Sequence, residues 1–189
     1  GYDPMVYRFF CLQSHYRKAL VFSWENMDNA KLAYEKLVTK IAALKPAEGE
    51  QVDEAAFETV RQGLVKALDN DINTSLAVTA LYDVLKAKVN DATKLALIAN
   101  YDTVLSLDLI AHAKALNDKA AAEEAARKAA LEAAAAADPF VAEILSLIEA
   151  RKAAKKEKNF AEADRIRQYL LDKGVTLIDT KDGTTYQRN

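Results

Sequence analysis

The stretch Lys158–Asn189, KNFAEADRIRQYLLDKGVTLIDTKDGTTYQRN, turns from helix to strand across a single glycine. Phe160, Ala163, Ile166 and Leu170 recur at three- and four-residue intervals, which predicts one apolar stripe on a helix. Gly174 after Lys173 is a helix stop in the left-handed conformation. Val175-Thr176-Leu177-Ile178 is then β-branched and apolar, and Lys181-Asp182-Gly183 is a turn before Thr184-Thr185-Tyr186. A helix and hairpin of this size hold too little apolar material to stand alone. They must be fastened to another element, and their exposed face is available for another use.

Upstream, Asp138-Pro139 pairs a capping residue with a proline at the first helical position, and Phe140, Ile144, Leu147 and Ile148 form the next stripe. Before that runs DKAAAEEAARKAALEAAAAAD (118–138), almost all alanine plus charge, with Glu123–Arg127 and Glu124–Lys128 spaced as favourable i,i+4 pairs. So little bulk buries no face, and the segment reads as an exposed helical spacer at a domain boundary.

The front of the chain reads as a bundle. Asp3-Pro4 opens a helix through Tyr7, Phe9, Phe10 and Leu12 that breaks near Ser14-His15-Tyr16. Ser23 caps a helix from Trp24 towards Leu44, and a third runs from about Val52 to Leu68. Thr74 is expected to cap a fourth helix bearing Leu76, Ala80, Leu81, Val84 and Leu85; Leu95 to Leu116 supplies a fifth. Short connections make these antiparallel neighbours. The expected fold is mainly α: an antiparallel bundle, an exposed Ala-rich helix, then a small α/β module with a hairpin. The boundaries are 1–22, 23–117, 118–137 and 138–189.

Composition agrees. Hydrophobic residues are 51% and charged residues 29% of the 189, which is globular, while only 5 Gly and 3 Pro favour long helices over many turns. The net charge of −2 excludes whole-surface attraction to a polyanion, yet residues from Glu149 onward carry +3 against −5 before them. The body is acidic and the tip basic. Cys11, the one cysteine, forms no intrachain disulfide and reads as a buried thiol. No apolar run is long enough to span a bilayer and the start lacks a signal-peptide layout, so a soluble, cytoplasmic chain without membrane contact is expected.

Catalytic chemistry is missing. There is no glycine-rich phosphate loop and no Cys or His cluster for a metal; His15 and His112 lie on different segments, and His112 reads as structural. Asp69, Asp71 and Asn73 alternate like part of a calcium loop but lack its glycine and closing glutamate, which favours a cap or turn. What remains is Lys155 to Asp179, where Phe160 stands beside Lys155, Lys156 and Lys158, Asp164 lies one turn on, and Asp179 ends the returning strand. A ring to stack on a base, cations for phosphate and carboxylates for base N–H donors are the materials for reading unpaired RNA bases. The same residues also fit a plain structural role, with Phe160 in a core and the carboxylates balancing the lysines.

At these residues the sequence resembles bacterial cysteinyl-tRNA synthetases, whose ends carry an aromatic-Ala-x-Ala-Asp helix, a Gly-Val/Ile-x-Leu-x-Asp strand and a Gly-Thr-x-aromatic finish. Ser14-His15-Tyr16-Arg17 with Phe22-Ser23-x-Glu25-Asn26, and Ala67-Leu68-Asp69-Asn70-Asp71-Ile72-Asn73-Thr74, are similar to two further family segments. The resemblance covers nearly the whole chain except the alanine spacer. It implies a class I synthetase that joins cysteine to tRNA(Cys) with ATP and uses zinc to select the thiol. Its His-x-Gly-His and Lys-Met-Ser-Lys-Ser motifs are absent, so ATP and zinc are implied for a catalytic domain outside this sequence. The resemblance implies a monomeric tRNA-binding portion, inactive alone, with no cofactor and no role on DNA. Residues 1–22 would contact the tRNA stem, 23–117 form the anticodon-binding bundle, and 138–189 read the anticodon, held out by the spacer. Carried over by position, anticodon contacts fall on Lys155, Phe160, Asp164 and Asp179, with Lys156 and Lys158 beside them. The family often has Arg for Lys155 and Trp for Phe160, and Tyr186-Gln187 stands where Trp-Arg is frequent. Arg17 and Lys18 are placed for the inner corner of the tRNA or for a solvated face. The alternative function is a helical scaffold for protein partners without RNA binding; a third, an enzyme of other chemistry, finds no site.

Overall fold

The computed structural model describes residues 1–180 and 183–188. In chain order these form α1 (Pro4–Leu12), α2 (Trp24–Ala42), α3 (Glu54–Asp69), α4 (Thr74–Lys86), α5 (Asp91–Leu105), α6 (Leu109–Ala137), α7 (Pro139–Lys156), α8 (Phe160–Asp172), β1 (Val175–Thr180) and β2 (Gly183–Arg188). Two compact units result, Gly1–Ala121 and Ala122–Asn189, and the division falls inside α6. The fold is mainly α with one antiparallel hairpin, as the periodicities require.

In the first unit, α1 to α5 and the start of α6 share one core, in which Phe9, Leu37, Leu81, Leu97, Ile98 and Tyr101 are wholly buried. The expected caps at Asp3 and Ser23 are present: Met5 N–H donates to Asp3 Oδ1 at 2.7 Å and Asn26 N–H to Ser23 Oγ at 3.1 Å. The fourth helix is capped one residue earlier than expected. Asn73 Oδ1 accepts from Leu76 N–H at 3.1 Å, and Thr74 is already helical. The Asp69–Thr74 interruption is a left-handed turn, with Asp71 at φ 58° and Ile72 at φ 50°.

The expected single helix from Leu95 to Leu116 is two. The chain breaks at Ser106–Asp108, where Ser106 (φ 50°) and Asp108 (φ 52°) turn left-handed. The cause is Asp102. Its Oδ1 accepts from Leu107 N–H at 2.6 Å and its Oδ2 from Leu109 N–H at 2.9 Å, replacing the helical partners of both amides. Leu105, Leu107 and Leu109 are thereby all turned into the core, at 1%, 0% and 0% exposure, which no straight helix allows at that spacing. Tyr34 Oη donates to the freed Leu107 carbonyl at 2.6 Å and lies 2.6 Å from His112 Nδ1, so His112 is bound into the same network. Beyond it, residues 114–133 of α6 are exposed all round.

In the second unit α7 and α8 form a helical hairpin closed by the strands. Ile144, Ile148, Ile166, Leu170, Val175 and Leu177 are its core. β1 and β2 pair antiparallel with Leu177 opposite Tyr186 and Asp179 opposite Thr184. Gly174 takes φ 77° to end α8, as its position after Lys173 predicts. Of the expected Lys181-Asp182-Gly183 turn, Lys181 and Asp182 lie outside the described residues. The module's two ends meet: Arg188 Nη2 pairs at 2.7 Å with Asp138, whose other oxygen caps α7 through Phe140 N–H at 2.9 Å.

Asp102→Ala leaves two amides at a turn between buried leucines without acceptors. We expect a loss of about 1–3 kcal/mol of unfolding free energy, read from urea denaturation, with Asp102→Asn retaining part of it through its one carbonyl oxygen.

Candidate nucleic-acid interface

The turn between α7 and α8 presents the tip residues. Asn159 N–H reaches back to Ala154 O at 2.8 Å and Lys158 N–H to Lys155 O at 3.1 Å, the paired closure that ends a helix with one left-handed residue. Here that residue is Lys158, at φ 61°, where glycine costs least. A lysine accepted at about 1–2 kcal/mol of left-handed strain is a cation kept in place against local preference. Asn159 then caps α8 by accepting from Glu162 N–H at 3.2 Å, which makes Phe160 the first helical residue.

Phe160 departs from the apolar stripe. Ala163, Ile166 and Leu170 are buried at 2%, 6% and 0%, whereas Phe160 is 62% exposed. At about 100° per residue it sits some 60–120° round the helix from the other three, and as first residue it projects past the end of the core. Asp164 is exposed one turn along and makes no hydrogen bond or ion pair among the described residues. The same holds for the side chains of Lys156 and Lys158.

Asp179 is in a different condition. The Arg151 guanidinium grips it in a fork, Nη1 to Oδ1 at 2.9 Å and Nη2 to Oδ2 at 3.0 Å. Lys155 Nζ donates to Oδ2 at 3.0 Å and Thr184 Oγ1 to Oδ1 at 2.7 Å. A carboxylate offers about four acceptor positions, and all are filled. Arg151 was not foreseen from sequence; it lies among apolar positions of α7 yet is only 4% exposed, and its Nε has no partner. The signal available was Arg151 and Lys155 one turn apart, both i,i+4-aligned towards a carboxylate on a returning strand. Hydrogen bonds from Arg151, then from Thr184 and Lys155, hold the Asp179 carboxyl well below the usual carboxylate range. Asp179 in turn raises the Arg151 guanidinium, with a smaller contribution from the Asp164 charge. Of the two aspartates, Asp179 is saturated by Arg151, Lys155 and Thr184, while Asp164 is exposed and open.

Arg17 and Lys18 belong to the first unit. Arg17 is committed: its Nε lies 2.9 Å from Asp71 Oδ2 and its Nη2 donates to Oδ1 at 3.1 Å, with Tyr16 Oη donating to the same Oδ1 at 2.8 Å. This clasp ties the Ser14–Lys18 loop to the left-handed turn and occupies the carboxylate that the calcium-like spacing suggested. Lys18 is exposed and its side chain has no partner among the described residues. Among the described residues no group of three or more His, Cys, Asp or Glu side chains is placed to hold a metal, and no helix is long and apolar enough to cross a membrane.

Comparison with known proteins finds sequence similarity to cysteine-tRNA ligases. A cysteine-tRNA ligase of Novosphingobium aromaticivorans is 34% identical over 95% of this chain, one of Hahella chejuensis 36% over 99%, and one of Borreliella burgdorferi 30% over 100%. Along nearly all of its length the chain is similar to cysteine-tRNA ligases. It spans 34%, 39% and 38% of the length of these three relatives. No family model matches the chain.

Two stability effects follow. Asp179→Asn strips the buried Arg151 of its counter-charge and should cost about 1–2 kcal/mol, trimmed by the half-exposed position of the carboxylate. The carboxyl pKa is depressed on folding, so this stabilisation is present above the unfolded value of about 3.9 and lost as pH falls below it. The gap in urea midpoint between wild type and variant should therefore narrow from pH 7 to pH 3 without closing, because the folded-state carboxyl titrates well below the usual range. Lys158→Gly should raise the melting temperature by relieving left-handed strain; a fall would show that the lysine side chain stabilises the turn.

Proposed function

We propose that the chain is the tRNA-binding portion of a cysteine-tRNA ligase, and that its second unit reads the anticodon of tRNA(Cys). In the whole protein the reaction is attachment of cysteine to that tRNA with ATP, the nucleotide and zinc sites lying outside this sequence. The observation that carries the reading is the face of α8: an exposed Phe160 ring, an open Asp164 carboxylate four residues on, and beside them Lys156 and Lys158, unpaired among the described residues. Singly exposed rings are common on folded surfaces, but this one, 62% exposed, stands beside an open carboxylate and two cations. A base stacked on that ring would bury it, and Asp164 could accept from the N–H donors of a guanine edge.

The saturated geometry of Asp179 divides the work between the two aspartates. Asp164 meets the base, and Asp179 positions Lys155, whose ammonium it holds at 3.0 Å. Lys156 and Lys158 meet phosphate. Arg17, neutralised by Asp71, orders its loop, while Lys18 remains open for a phosphate of the tRNA body. The competing reading, a protein-binding helical scaffold, draws on a separate surface of the first unit, where Val21, Phe22 and Trp24 are 71%, 51% and 69% exposed.

The test is binding to a stem-loop bearing GCA and to one with an altered loop. Phe160→Ala should weaken both by about 1–3 kcal/mol, the range for loss of one base–aromatic stack, without lowering the melting temperature. Asp164→Asn keeps the shape but replaces an acceptor oxygen by a donor, so it should weaken the GCA loop and leave the other unchanged or slightly tighter. Equal tightening for both loops would reduce Asp164 to surface charge. No binding of either loop by the folded wild type would leave the scaffold reading standing.

A further inference from the structure

The cations of the second unit sort by whether the fold already uses them. Arg151 and Lys155 are held by Asp179, Lys152 by Glu149 at 3.8 Å, Arg165 by Glu162 at 2.8 Å, Lys173 by Glu143 at 2.9 Å and Arg188 by Asp138 at 2.7 Å. Lys156, Lys158 and Arg167 have no hydrogen bond or ion pair among the described residues. The first two were expected at the tip. Arg167 was not.

Its place on α8 is specific. Residues 160, 164, 167 and 171 recur at helical spacing and form one exposed stripe: Phe160, Asp164, Arg167 and Leu171. The buried stripe, Ala163, Ile166 and Leu170, separates it from a third, Glu162, Arg165 and Tyr169. That third stripe lines a groove of about 480 Å³ against Glu143, Leu147 and Ala150 of α7. Every charge there is met: Glu162 by Arg165, and Glu143 by both Lys173 and Tyr169 Oη, the latter at 2.7 Å. The groove side of α8 is electrically closed. On the Phe160 side, by contrast, an arginine stands in line with an open ring and an open carboxylate, about 10 Å along the axis from Phe160. An exposed arginine on a neutralised surface is ordinary; one left unpaired only on the side where a base would stack has a direction.

We propose that Arg167 is a further RNA-contact residue, which clamps a phosphate of a nucleotide flanking the base stacked on Phe160. This rests on the anticodon reading above. The strand would then follow α8, with Lys156 and Lys158 at one end of the stacked base and Arg167 at the other. A guanidinium suits the task because its fork meets two phosphate oxygens at once. Phosphate contact carries no sequence information, so Arg167 adds affinity and register while Asp164 supplies discrimination.

The experiment measures affinity for the GCA and altered stem-loops at several salt concentrations, for wild type, Arg167→Gln, Arg165→Gln and Lys158→Gln. Loss of one single-strand phosphate contact lowers the slope of log K against log salt by about 0.7, hence about fivefold weaker binding at 0.1 M salt. We expect that change for Arg167→Gln on both loops, and little change for Arg165→Gln. Neither arginine replacement should alter the melt, since both side chains are exposed. Equal losses for the two arginines would mean general charge attraction and overturn the proposal; so would an unchanged slope for Arg167→Gln. A loss confined to the GCA loop would make Arg167 a base reader rather than a phosphate clamp. Normal slopes for Lys158→Gln as well, or no wild-type binding, would bring down the anticodon reading itself and the proposal with it.

Discussion

The second unit depends on one ion pair. Arg151 is driven into the interior of the α7–α8–hairpin module because the strand after α8 returns a carboxylate to meet it, in a two-point grip at 2.9 and 3.0 Å. Charge in such a place is costly unless paired and hydrogen-bonded, and the pairing is dictated by strand register: Asp179 lies opposite Thr184, whose hydroxyl completes its acceptor set. A one-residue slip of the hairpin would turn Asp179 to the other face of the sheet and leave the guanidinium alone. The arginine therefore fixes register, register fixes Lys155, and the apolar contacts of Val175 and Leu177 follow.

Against that fixed frame the exposed face of α8 is defined by what is left unused. The core takes Ala163, Ile166 and Leu170, the groove side neutralises its charges, and the remaining stripe keeps ring, carboxylate and cation. Lys158 belongs to the same economy. It occupies a backbone conformation suited to glycine, and such departures from local preference concentrate at functional positions.

Much of this was legible in the residues themselves. Caps at Asp3, Ser23 and Asp138 and the stop at Gly174 were readable because they rest on neighbours in sequence. The break at Ser106–Asp108 was not, because Leu95 to Leu116 keeps an acceptable helical pattern and the deciding event is a side chain, Asp102, competing for amides five and seven residues on. Phe160 matched the apolar spacing yet lies outside the core, since periodicity assigns a face without locating its edge. Asp164 and Asp179 look alike in sequence; a partner 28 residues away, Arg151, separates their roles. Long-range pairing is what a local pattern cannot carry.

The Asp138–Arg188 contact has a mechanical consequence for the module. The two residues are 50 apart in the chain and their side chains meet at 2.7 Å, so the end of β2 is tied to the first turn of α7. A strand end held in this way frays only after the ion pair opens. The contact works as a latch.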